Sequence, residues 1–175
     1  MTDVSDIGLL ATEVLSGAFD ALETIPIVAP GFDGAPDRYF VSPGEPAFDC
    51  CPQLTVHVSS ITDRPTTLTT TGRSCAASVS LVGLVVTIVR CVPVPDDQGN
   101  PPSMEAMCEA AFQTEMDGWA LWNHLYSMWC ADMLFSLCGE VFWDGMRAIN
   151  PAGGCSGWTL SLRVSLDGYE DIASS

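Results

Sequence analysis

Between Arg73 and Arg90 the chain carries no charge, and that stretch, Ser74 to Val89, constrains the fold more than any other. It falls short of the roughly 20 residues a helix needs to cross a bilayer, and its Val, Ser and Thr content suits a strand. Over Cys75 to Val92 both alternating sets are apolar: Val79, Leu81, Val85 and Val89 on one side, Val82, Leu84, Val86 and Ile88 on the other. A strand apolar on both faces belongs inside a sheet and is covered on two sides, with Gly83 the point at which it can bend.

Further extended segments stand ready to flank it. Gln53 to Ile61 sets Leu54, Val56 and Val58 against Thr55, His57 and Ser59, the pattern of a half-buried strand. Trp158 to Asp167 sets Trp158, Leu160, Leu162, Val164 and Leu166 against Thr159, Ser161, Arg163, Ser165 and Asp167, the clearest alternation in the chain. Arg38 to Ser42 is a short extended candidate. The Thr-rich connection Thr62 to Ser74 reads as a mobile hairpin tip, and Asn150 to Gly157 as the link into the last strand.

Helical periodicity appears twice. Ile7, Leu10, Ala11, Val14, Leu15, Ala18 and Leu22 fall on one face, which predicts a helix from about Asp3 to Glu23, stopped by Pro26. Ser103 is a good N-cap, and Glu105 and Glu109 complement the dipole of a long helix running towards Ala131 and on, or restarting, through Cys138. Its stripe of Met107, Cys108, Ala111, Trp119, Trp122, Tyr126, Trp129 and Met133 suits a core or a subunit interface. The predicted fold is α+β: one domain over residues 1–175, an antiparallel sheet with an N-terminal helix and a long second helix packed on it. Segments 26–52 and 62–74 read as flexible, and 168–175 as a loose end. The long Pro26 to Pro52 connection is either a contact with a neighbouring subunit or a surface loop pinned by its own prolines.

Composition limits the partners. The chain is 47% hydrophobic yet has a net charge of −16, with 22 acids, six arginines and no lysine. It repels nucleic acid and anionic membrane, which leaves proteins as partners. Its first residues lack the basic and apolar runs of a signal peptide, so synthesis in the cytoplasm is expected. Of its eight cysteines, most read as small buried hydrophobes; a bridge or metal site drawing on Cys50, Cys51, Cys75 or Cys91 is the alternative.

No catalytic, cofactor or metal residues emerge. The absence of lysine removes both a P-loop and a Schiff base, and Gly153-Gly154-Cys155-Ser156-Gly157 is a glycine-rich turn, not a nucleophile elbow. His57 and His124 read as satisfied structural histidines. Asp96-Asp97-Gln98-Gly99-Asn100 lacks the closing glutamate of a calcium loop and reads as a turn.

Three segments carry a resemblance: Asp49-Cys50-Cys51-Pro52-Gln53-Leu54-Thr55-Val56; Val89-Arg90-Cys91-Val92-Pro93 with Asp96 to Pro102; and Gly153-Gly154-Cys155-Ser156-Gly157-Trp158. In this order around a long helix they resemble head-to-tail proteins of long-tailed phages that infect actinobacteria, tail terminators above all. The resemblance spans roughly Phe48 to Asp167. It implies a virion protein made in the host cytoplasm, without enzymatic activity or cofactor. It further implies a ring, usually a hexamer, that caps the tail tube protein and meets a head connector or stopper. DNA would pass through without specific binding, and an acidic wall suits such a channel. The acids are expected on the inner wall and the apolar excess at subunit contacts. Candidate interface residues are Asp33, Asp37, Arg38 and Tyr39, then Thr67, Leu68 and Thr69 at the tip, and Trp119 and Trp122 on the long helix. A stopper or other connector ring is the near alternative. A secreted, disulfide-bonded binding module and a cysteine-dependent hydrolase are alternatives of other classes.

Overall fold

A computed structural model describes residues 4–28, 32–47, 52–64, 79–131, 140–152 and 154–166. Among them are three helices, α1 (Val4–Glu23), the single turn α2 (Ile25–Val28) and α3 (Met104–Cys130), and five strands, β1 (Arg38–Ser42), β2 (Gln53–Arg64), β3 (Val79–Cys91), β4 (Val141–Ala152) and β5 (Cys155–Leu166). The strands form one sheet in the order β1-β2-β3-β5-β4, so the charge-free segment is central, with β2 and β5 antiparallel on its two sides. The α+β class, with an N-terminal and a long second helix on the sheet, is as the periodicity predicts.

The core lies between the sheet and the two long helices. Val82, Leu84, Val86 and Ile88 of β3 share it with Leu54 and Val56 of β2 and Leu160, Leu162 and Val164 of β5. From above, α1 supplies Leu10, Val14, Ala18 and Leu22, and α3 supplies Leu121 and Leu125. Each leucine fully buried here stabilises the fold by about 1.5–3 kcal/mol. Pro26 follows α1, which ends at Glu23 as the periodicity predicts. It sits in the first turn of α2, where a missing N–H leaves no hydrogen bond unmade.

One pair departs from an all-antiparallel sheet: β1 runs parallel to β2, with Arg38 opposite Gln53 and Ser42 opposite His57. Parallel neighbours cannot be joined by a tight turn, so the chain after Ser42 must travel back before β2 begins. The described part of that return, Pro43 to Ala47, lies over the sheet face away from the helices. Gln53 Nε2 donates to Ala47 O at 3.0 Å, and Pro46 is buried. This part of the Pro26 to Pro52 connection is thus pinned to its own subunit.

The return strap corrects two expectations for β2. Gln53, Thr55 and His57 are not the wet side of a half-buried strand; all three are buried. Nor is His57 satisfied, because its Nδ1, with Gln53 Oε1 and Thr55 Oγ1, has no hydrogen-bond partner. Burial lowers the pKa of His57 from 6.5, and Glu45 opposes the shift more weakly. The folded protein therefore keeps His57 neutral to lower pH than the unfolded chain does. That stability is complete above pH 6.5 and is lost as the pH falls through the lowered folded value. Urea midpoints should drop on acidification below 6.5, and His57→Gln should flatten the profile. An equally steep profile in the variant would count against this assignment.

β4 is a strand that the alternation does not reveal. Gly145, at φ 108°, forms a bulge opposite Ser161, so Trp143 and Met146 both come to the helix side, beside Leu162 and Leu160. The bulge breaks the period of two, and Pro151 is tolerated because β4 is an edge. The Asn150 to Gly157 link is therefore largely strand, turning through Gly154 at φ 80°.

The cysteines also depart from expectation. Cys91, Cys108 and Cys130 are exposed, Cys91 at the end of β3 and the other two on outward positions of α3. Cys155 is buried and disulfide-bonded, and its partner lies outside the described residues, as do Cys50, Cys51, Cys75 and Cys138. The Asp96 loop is a turn closed on itself. Asp96 Oδ1 accepts from the backbone of Gln98 and Asn100, each at 2.9 Å, and Oδ2 accepts from Asn100 Nδ2 at 2.8 Å.

Candidate functional site

The site grows from α3. Ser103 caps it, its Oγ accepting from Ala106 N at 3.1 Å, and Glu105 lies in the first turn. Only Thr114, Asp117, Gly118, Leu121 and Leu125 of this helix are buried. The core side is therefore not the predicted stripe: Met107, Cys108, Trp119 and Tyr126 are exposed and lie beside it. The helix is apolar around most of its girth, so periodicity alone could not choose the inward face.

What chooses it is a buried ion pair. Arg90, on the helix side of β3, donates from Nε to Asp117 Oδ2 at 2.8 Å and from Nη2 to Asp117 Oδ1 at 2.9 Å. Arg90 Nη2 also donates to Gly34 O at 2.7 Å. Gln113 Nε2 reaches Asp117 Oδ1 and Asp33 O, while Gln113 Oε1 accepts from Asp33 N. One cluster thus ties β3, α3 and the segment before β1 together.

The next residue of α3, Gly118, lets β5 come close. A Cβ there would lie 2.8 Å from Trp158 Nε1 and 3.0 Å from Met146 Cε. Trp158 Nε1 donates to Thr114 O at 2.8 Å, which fixes its ring against the helix. Gly118→Ala should displace that ring and cost about 1–3 kcal/mol, seen as a lower urea midpoint with a shifted tryptophan emission. Unchanged emission would show that the contact had been misjudged.

Past Trp158 the aromatic side chains converge. Trp143 of β4 has Trp122, Tyr126 and Trp129 of α3 around it, with ring centroids at 5.7, 5.9 and 6.2 Å. Trp122 and Tyr126 lie parallel within 5°. Beside them a pocket of about 360 Å³ is lined by Glu115, Trp119, Trp122, Gly145, Met146 and Trp158. A second hollow of about 330 Å³, bounded by Val94, Met107 and Ile149, shares Glu115 and Trp158 with it. The two make one groove between α3 and the outer strand.

The sequence candidates separate into two places. Trp119 and Trp122 come together in the groove, with Trp119 60% exposed. Asp33, Asp37, Arg38 and Tyr39 lie at the opposite edge of the sheet or just before it. Asp33 is held through its backbone by Gln113, and Asp37 is exposed. Arg38 lies over the ring of Phe40 at 5.8 Å, and Tyr39 packs on Phe19 at 4.5 Å. Thr67, Leu68 and Thr69 lie outside the described residues. Sequence reasoning missed Trp143 and Met146, although one signal was available: all five tryptophans fall between 119 and 158.

Chemically, the groove offers indole faces, the thioethers of Met107 and Met146 and the carboxylate of Glu115, a set suited to holding another molecule. Among the described residues no three His, Cys, Asp or Glu side chains gather as a metal set. No described helix is long and apolar enough to cross a membrane. Compared with known proteins, the chain matches no family model and no curated sequence.

Proposed function

We propose that this chain is a structural ring protein of a phage virion, a tail terminator that caps the tail tube and docks it to the head connector. The observation that carries the reading is the exposed apolar surface of α3, where Met104, Met107, Phe112, Trp119 and Tyr126 all face solvent in a single copy. Such a surface on a soluble chain calls for a protein cover. Among the described residues the sheet ends in two edges on opposite sides, β1 and β4, which suits head-to-tail contacts that close into a ring. The three segments that carry the resemblance meet at one end of the sheet, where Gln53, Val89 and Gly157 stand in one row.

A closed ring ends tube growth geometrically and presents a new docking face. Among the described residues the acids do not gather on one wall of the subunit. Exposed carboxylates occur on α1 (Asp20, Glu23), the strap (Glu45), the β3–α3 link (Asp96, Asp97), α3 (Glu105, Glu109, Glu115) and β4 (Asp144). Their spread keeps the unassembled subunit soluble, and it repels DNA from any surface turned towards a channel. Light scattering over a range of concentrations and negative-stain microscopy test the reading. Closed rings that bind tail tubes are expected; a particle that stays monomeric and ignores tubes would end it. A stopper would also form a ring but would bind the connector and not the tube.

The disulfide at Cys155 favours a second reading, a secreted binding module. Mass spectrometry of the alkylated protein separates the two, since eight alkylated thiols would exclude the module.

A further inference from the structure

We propose that the pocket between α3 and β4 receives the cationic end of an arginine or lysine side chain presented by a basic partner protein. Three of its six lining residues are tryptophans, and a fourth is the carboxylate Glu115. Indole faces attract cations through their quadrupole, and a carboxylate at the mouth completes the charge. The walls are held in place before any ligand arrives. Trp158 is fixed by its bond to Thr114 O and by the bare Cα of Gly118. Trp122 is fixed by Tyr126 and Trp143. Trp119 stays largely in solvent, where it can close over an incoming group.

A purely apolar side chain suits this pocket less well, because covering Glu115 with hydrocarbon would strip its carboxylate of water without replacement. The net charge of −16 adds long-range attraction for a basic partner.

A second copy of this chain is the poorer source of the cation. The chain has no lysine. Among the arginines whose side chains are described, Arg90 is buried with Asp117, and Arg163 is bonded to Asp144 by two contacts. A second copy, itself at a net charge of −16, also brings no long-range attraction to the pocket. Only the partner's identity as a virion protein rests on the proposed function; the pocket's chemistry does not.

The test titrates the full-length chain with N-acetyl-arginine amide, using N-acetyl-leucine amide as the neutral control and following indole N–H resonances by NMR. Saturable shifts are expected at Trp119, Trp122 and Trp158 with the arginine probe. The leucine probe and the variants Trp119→Ala and Glu115→Gln should each bind roughly tenfold more weakly, a loss of about 1.4 kcal/mol. Both positions are exposed, so urea midpoints of the two variants should stay within about 0.5 kcal/mol of the parent. Equal binding of the two probes, or no saturation by arginine, would overturn the proposal. So would self-association of the parent that both variants abolish, since that places a second copy in the pocket. A monomer that binds the arginine probe supports the pocket while ending the ring reading. Rings that ignore the probe do the reverse.

Discussion

Asp117→Ala should lower the stability of the fold by about 3–5 kcal/mol, because it leaves the Arg90 guanidinium buried without its counter-charge. Asp117 is 1% exposed and Arg90 7%, and the two are joined by paired hydrogen bonds. The double variant Arg90→Met with Asp117→Leu should recover much of the loss, since a buried ion pair seldom outperforms well-packed apolar side chains. The titration of Asp117 points the same way: burial pushes its pKa above 3.8 against the pull of Arg90 and Gln113. A raised folded pKa contributes stability below 3.8 that is lost as pH rises through the folded value. The pair's benefit is positional: it sets α3 and the Asp33–Ala35 segment on β3. Urea denaturation of the parent, both single variants and the double variant reads this cycle. A mild single Asp117 variant, or a double variant no better than the singles, would refute the account.

The second large effect is expected at Gly157. A Cβ there would overlap the carbonyl oxygen of Ile88 and lie 3.0 Å from Val89 Cα. Those are backbone atoms of the central strand and cannot rotate away, so β3 and β5 would have to part in mid-sheet. Gly157→Ala should cost about 3 kcal/mol, or prevent soluble expression. Gly8 is the matched control. It lies in α1, and a methyl group added at its Cα would meet nothing within 4 Å, so Gly8→Ala should stabilise by about 0.5–1 kcal/mol. If the two variants had similar midpoints, the close approach of β5 to β3 would be wrong.

Much of the fold was legible because its strongest elements have a single clear period. The two-sided apolar run of β3, the alternation of β5 and the one-faced stripe of α1 each point to one structure and one position. β4 was not legible, because the Gly145 bulge puts Trp143 and Met146 on the same face and Pro151 looks like a stop. In α3 the extent was readable but the inward face was not, since apolar residues surround it. Asp117 is one of 22 acids, and nothing local marks it as the partner of Arg90. Of the groove, Trp119 and Trp122 were readable from helical spacing. Their meeting with Met146 and Trp158 was not, because it depends on β4 pairing with β5.

Local pattern was enough to say where the main strands and helices run and that one strand is central, and composition alone gives the net charge of −16. Periodicity acts within a segment and net charge is a simple total, so both can be read before any fold is known. The parallel pairing of β1 with β2, the burial of Gln53, Thr55 and His57 under the strap, and the turn of α3 that takes Asp117 inward and leaves Trp119 in solvent came from the assembled chain alone. Each of those outcomes depends on groups far apart in the chain that meet only once the sheet has formed, and no local pattern records such a meeting.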